Sequence, residues 1–207
     1  KVSRVEAVEI ETPEAQKVSG RYKDTPKVKV INRDFFDFYK ETLGKKTYDL
    51  ILGNPPYIRY QYLKESQREC QAQILTSHGM KSNKLINAWV AFMVASVQML
   101  SKRGKIAFVI PAEILQVAYA EDLRLYLANH LAKITLITFE QLVFPDIEQE
   151  VVVFIGEKGD AEKGIRIIEM NDLSGFDALD LASNGFQPVQ HVKEKWTKYF
   201  LNGNEMK

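Results

Sequence analysis

The chain has 207 residues, with 28 Lys and Arg against 27 Asp and Glu, a formal net charge of +1. That length fits one ordinary domain with some trailing structure. The charge balance excludes a protein held on nucleic acid by bulk positive charge, while allowing a local basic groove. At 45% hydrophobic and 27% charged residues, wholesale disorder is excluded. Cys70 is the single cysteine, so neither an intramolecular disulfide nor a Cys-based zinc site is expected. No apolar run reaches about eighteen residues, so no membrane contact is expected, and Lys1–Glu11 reads as a charged strand rather than a signal peptide. The reducing cytoplasm is the expected compartment. His78, His130 and His191 are scattered without ligand spacing, and no metal is expected.

In chain order, Val5–Ile10 reads as a strand, followed by a helix start at Thr12-Pro13-Glu14, with Thr12 as N-cap and Pro13 at the first helical position. Lys27–Ile31 and Tyr48–Leu52 are the next strands, the latter ending at Gly53. Residues 59–84 are rich in Gln, Ser and Lys and read as a mobile insertion or, nearly as well, as plain solvated surface. Leu85, Trp89, Phe92, Met93, Ser96, Met99 and Leu100 recur at spacings of three and four, which predicts a long helix with one buried face, stopped by Gly104. Ile106–Ile110 is an unbroken apolar strand of the kind buried on both faces of a parallel sheet.

A helix over 120–131 follows, then strands at Ile134–Phe139 and Val151–Ile155, joined without a helix so that one can run antiparallel. Alternation of strand and helix predicts an α/β layer fold. The texture changes after Gly156: residues 157–164 are charged and loop-like, 165–170 could form a strand and 172–188 are irregular. Residues 1–156 are therefore expected to form the core domain and 157–207 a connector.

In open α/β sheets, ligands bind beyond the carboxyl ends of the strands. Glu9-Ile10-Glu11, Asn32-Arg33-Asp34-Phe35-Phe36, Gly53-Asn54-Pro55-Pro56-Tyr57 and Pro111-Ala112-Glu113 stand at four such ends. Asn54-Pro55-Pro56-Tyr57 carries the most information, since a chance match to four such residues has odds of roughly one in a thousand in a chain this long. Two prolines stiffen the loop and remove two backbone donors. The Asn54 side-chain oxygen and the Pro55 carbonyl then form a pair of acceptors suited to an NH2 group, with the Tyr57 ring beside them as a stacking face.

Asp49–Tyr57 resembles the catalytic motif of amino-group methyltransferases that use S-adenosylmethionine, and the order of the flanking motifs is similar to the gamma class of N-6 adenine-specific DNA methyltransferases. The resemblance covers most of residues 5–156. It implies a Rossmann-like methyltransferase sheet, in which Glu9 holds the cofactor ribose, Ile10 packs on its adenine, Asp34 bonds the adenine amino group and Phe35 stacks on the ring. It implies catalysis by Asn54, Pro55, Pro56 and Tyr57, with a flipped DNA adenine stacked between Tyr57 and Phe144. Phe144-Pro145-Asp146 and Gln149–Val153 resemble the loop and strand carrying that second aromatic, and Lys195–Leu201 resembles the lead-in to the target-recognition domain of type IIG restriction-modification enzymes.

The Gly-rich loop that follows the family's first strand has no counterpart before Glu9. The sheet is therefore expected to lack its first strand, and the chain to be a prokaryotic catalytic-core fragment whose parent supplies that segment, a recognition domain and binding to double-stranded DNA. Taken singly, Glu9 also reads as an ordinary strand-end charge, Asp34 as a turn cap, and Phe35, Phe36 and Phe144 as core. Glutamine or RNA guanine amino-group methylation, and a non-catalytic binding or scaffold piece, stand as alternatives to DNA adenine methylation.

Overall fold

The computed structural model describes residues 2–141, 149–179, 181, 185–189 and 194–200. The chain divides into two compact units, residues 1–46 and 47–207.

In the first unit, β1 (Val5–Glu9) and β2 (Val28–Asn32) form a parallel two-stranded sheet, with Glu9 opposite Asn32. The crossover is α1 (Thr12–Arg21), and α2 (Phe35–Thr42) follows β2. Proline does stand in the first turn of α1, but Glu11 rather than Thr12 is the N-cap residue. The Thr12 hydroxyl instead donates to Asn32 Oδ1 at 2.9 Å, a partner that only strand pairing brings near.

In the second unit, β3 (Tyr48–Gly53), β4 (Leu100–Pro111), β5 (Lys133–Phe139), β6 (Val151–Glu157) and β7 (Gly164–Met170) form one sheet in the order β3-β4-β6-β5-β7. β3 runs parallel to β4, and β7 parallel to β5. β6 is inserted between β4 and β5, antiparallel to both, as the short helix-free connection allows. The expected boundary at Gly156 cuts through this sheet, because β7 extends it past that point. Trp196 is fully buried and Tyr199 nearly so, and their turn packs against β7 and the Ala112–Leu115 turn. Residues 196–200 thus close this unit rather than lead away from it.

Helix α4 (Ala88–Met99) is shorter than predicted and buried on all sides: ten of its twelve residues are buried, Trp89, Ala91 and Met93 to zero exposure. A period of three and four marks an apolar stripe but does not say how much of the remaining circumference is covered. Each fully buried large side chain here contributes about 1.5–3 kcal/mol of transfer free energy. Leu85, assigned to that stripe, lies outside the helix and is 74% exposed.

Gly104 does not stop α4. The helix passes directly into β4, and Gly104 lies within that strand, where the β3–β4 register shifts between Tyr48 and Leu50. A Cβ at Gly104 would lie 2.7 Å from the Tyr48 carbonyl oxygen and 3.0 Å from the Ser101 nitrogen, so close backbone approach requires glycine there.

The polar stretch 59–84 contains a twelve-residue helix, α3 (Glu65–Thr76), which packs on α4. Cys70, Gln71, Ile74 and Leu75 are its buried face. The fully buried Gln71 hides this face from a hydropathy reading; its Nε2 donates to the Ile86 carbonyl at 3.2 Å. His78 and His130 also meet, through Tyr126: Tyr126 stacks on His130 at 4.1 Å and lies 5.0 Å from His78. His191 falls outside the described residues. Among the described residues no group of three or more His, Cys, Asp or Glu could hold a metal, and no helix is long and apolar enough to cross a membrane.

Candidate active site

The first unit gathers four of the expected site residues at the carboxyl ends of its paired strands. Glu9 ends β1, and one carboxylate oxygen accepts the Glu11 backbone N–H at 2.8 Å, which turns the chain tightly into α1. Ile10, just beyond, is 48% exposed. Asp34 is the N-cap of α2: its carboxylate accepts the Phe36 N–H at 2.7 Å, offsetting one orphan donor of the helix start. Phe36 is buried, whereas Phe35 is half-buried and meets it edge-on at 6.0 Å. Phe36 is therefore core, and Phe35 is less deeply covered.

Asn32 is a positioning residue that sequence reasoning passed over. Its Nδ2 donates to the carbonyls of Glu9 and Ile10 at 2.9 and 3.1 Å, clamping the end of β1 onto β2. The signal for it was a polar amide at a strand terminus one residue before Arg33, easily read as turn chemistry.

The second unit holds the Asn-Pro-Pro-Tyr loop, directly after β3. Pro55 is buried and Pro56 half-buried, so the loop is seated on the unit rather than projecting from it. Asn54 is exposed, and its amide has no hydrogen-bond partner among the described residues. The Tyr57 hydroxyl donates to the Val109 carbonyl of β4 at 3.0 Å, and burial pushes its pKa up to about 12. One residue on, the Ile58 carbonyl accepts the Ala88 N–H at the start of α4 at 2.9 Å. Strand β4 and helix α4 thus fix the Asn-Pro-Pro-Tyr loop from two directions. Phe144, expected as the second aromatic, and Pro145 and Asp146 beside it, fall outside the described residues.

Beyond β4 the turns Ala112–Leu115 and Ala118–Ala120 carry a pair not expected from chain order: Tyr119 donates its hydroxyl proton to the Glu113 carboxylate. Burial first, then the Glu113 hydrogen bond and charge, push the Tyr119 phenol above its ordinary value, while the Trp89 and Asn87 side chains act in the opposite direction. Arg124 of α5 (Glu121–His130), 2% exposed, holds these turns in place: its Nη1 donates to the carbonyls of Ile114 and Val117 at 3.0 and 3.1 Å. Burial lowers the pKa of its guanidinium. Glu113 stood at a recognisable strand end, but its partner six residues on has no periodic relation to it.

Residues 6–144 match the Eco57I restriction-modification methylase family, about two thirds of the chain. Over 157 residues the chain is 32% identical to the type II methyltransferase M.HincII of Haemophilus influenzae, covering 75% of this chain and 30% of that protein. The type IIG restriction endonuclease BpuSI superposes with a TM-score of 0.68 at 19% identity, covering 93% of this chain and 26% of its own. A Listeria monocytogenes protein assigned to the class I S-adenosylmethionine-dependent methyltransferases superposes with a TM-score of 0.63 at 12% identity, over 83% of this chain and 50% of its own. The chain therefore spans about a third of the curated relative it matches, and its fold is that of the S-adenosylmethionine-dependent methyltransferases. With the acids after β1 and β2, the Asn-Pro-Pro-Tyr loop after β3 and the match across 6–144, the chain belongs to the Eco57I restriction-modification methylase family.

Proposed function

We propose that the full-length protein transfers a methyl group from S-adenosylmethionine to the exocyclic amino group of a flipped adenine in double-stranded DNA, as part of a restriction-modification system. The single observation that carries this reading is the exposed Asn54 amide, without a partner among the described residues, on a loop pinned through Tyr57 to β4 and through Ile58 to α4. A pre-set acceptor next to an aromatic ring suits an amine on a flat heterocycle.

The residues of the first unit fit the cofactor. Two carboxylates at the ends of adjacent parallel strands suit a ribose diol and a ring amine, and an exposed isoleucine and a half-exposed phenylalanine suit the faces of a purine. Glu9, Ile10, Asp34 and Phe35 are the residues that would hold it. When bound, the cofactor supplies an electrophilic methyl group.

The adenine amine is a weak nucleophile because its lone pair is delocalised into the ring. Asn54 Oδ1 and the Pro55 carbonyl accept its two hydrogens. This draws the nitrogen towards a tetrahedral geometry, frees the lone pair and stabilises the positive charge that grows on it during transfer. Tyr57 contributes its ring as a stacking face for the everted base, with Phe144 as the second aromatic. The seated prolines hold the acceptors still, so little reorganisation is needed as charge develops.

Asn54→Ala tests this reading. In the full-length protein it is expected to lower methyl transfer to duplex DNA by about a hundredfold or more, corresponding to roughly 3 kcal/mol of transition-state stabilisation. Cofactor affinity measured by titration calorimetry should stay nearly unchanged. Near-normal turnover would remove the catalytic assignment. Mass analysis of nucleosides from the methylated duplex distinguishes N-6 methyladenine from methylation elsewhere.

A further inference from the structure

Leu85 is 74% exposed, although the segment that carries it is anchored through Asp122, Gln71 and Ile58. The Lys81 N–H donates to the Asp122 carboxylate at 3.0 Å. Asn83 Oδ1 accepts the Leu85 N–H at 2.9 Å, and the Asn83 carbonyl accepts the Ile86 N–H. Gln71 holds the Ile86 carbonyl, and Ala88 holds Ile58, next to Tyr57. The leucine is thus presented to water by an anchored turn, a few bonds from the loop proposed to receive the flipped base. Lys84 precedes it, Lys81 lies on the same turn and Arg59 follows Ile58, all three exposed, while the Asp122 carboxylate is bonded to the turn and Glu121 stands next to it in the chain. Cations around a protruding apolar tip suit a phosphate backbone around a base stack.

We propose that Leu85 is a wedge that enters the DNA base stack at the target and fills the space the everted adenine leaves, with Arg59, Lys81 and Lys84 on the adjacent phosphates. The proposal rests on the DNA-adenine reading above and adds the residue that pushes. Unstacking and unpairing a base is the uphill part of eversion, and an apolar side chain inserted in its place offsets that by burying its own surface. A rigid turn suits the role, because the wedge must not retreat under load.

The experiment uses the full-length protein and two duplexes carrying its methylation site, one fully paired and one with an abasic site opposite the target adenine. Leu85→Ala is expected to lower kcat/KM on the paired duplex about tenfold or more, and to come within about threefold of wild type on the abasic-opposed duplex, where little pairing remains to be broken. Leu85→Phe, still an apolar wedge, should keep most of the activity on both. With 2-aminopurine as the target base, Leu85→Ala should also lose much of the fluorescence rise that follows binding. Because Leu85 is exposed, thermal melting should be unchanged. Equal loss on both duplexes, no loss on either, or the same pattern from Tyr62→Ala (72% exposed, in the Tyr60–Tyr62 turn) would overturn the assignment. Failure of the wild-type protein to methylate adenine is a different result, and overturns the function on which the wedge depends.

Discussion

Replacing Tyr57 separates two roles of one side chain. Tyr57→Phe removes only the hydroxyl that donates to the Val109 carbonyl at 3.0 Å. A hydrogen bond of this kind contributes about 0.5–1.5 kcal/mol net, which for a unit of this size is a fall in Tm of about 1–6 °C. The ring is kept, so methyl transfer should stay within a few-fold of wild type. Tyr57→Ala also removes the stacking face. Stacking on an aromatic side chain is worth about 1–3 kcal/mol per base, so transfer should fall about 5- to 150-fold. The phenol adds a pH signature. Its pKa is raised from 10.0 to about 12, so the folded state keeps the proton where the unfolded chain ionises. The corresponding stabilisation is fully present below pH 10 and is lost as the pH rises from 10 to about 12. Melting of this chain followed against pH, for wild type and Tyr57→Phe, should show the wild type losing stability faster across that interval. DNA methylation by the full-length protein provides the second measurement. If Tyr57→Phe abolishes transfer as completely as Tyr57→Ala, the hydroxyl rather than the ring is the functional group and the stacking argument is refuted.

Gly104→Ala places a Cβ against two backbone atoms that cannot rotate away, and should destabilise the second unit by about 1–3 kcal/mol in denaturant unfolding, whereas Gly20→Ala, with nothing within 4 Å on helix α1, should be neutral or stabilising. Asn32→Ala should release the carbonyls of Glu9 and Ile10 and weaken S-adenosylmethionine binding by the full-length protein about tenfold, about 1.4 kcal/mol, in calorimetric titration; an unchanged Kd would show that the end of β1 holds its shape without the clamp.

The placement of the candidate site residues was legible in the linear sequence because strand ends are marked locally. An apolar run closed by glycine or proline puts the residues after it at a carboxyl end of the sheet, and Asn54–Tyr57 follows β3 for that reason. Asp34 before an aromatic pair is a capping pattern, and Asp34 caps α2. The covering of each face is a tertiary property, and there local reasoning stopped. Periodicity marked the stripe of α4 but not its burial on all sides. Gln71 made α3 read as solvated surface, because a buried amide whose Nε2 donates to a carbonyl fifteen residues away has no sequence signature. Gly104 read as a helix stop because its reason for being glycine, the Tyr48 carbonyl, lies 56 positions away. Likewise, Glu113 with Tyr119, Asn32 with Glu9, and His78 with His130 become pairs only when turns, strands and helix ends are brought together in space. Sequence alone determined which residues stand at the ends of strands. Tertiary structure decided which of them are held, by what, and which are left facing water, because hydrogen-bond geometry and burial depend on neighbours that chain order does not supply.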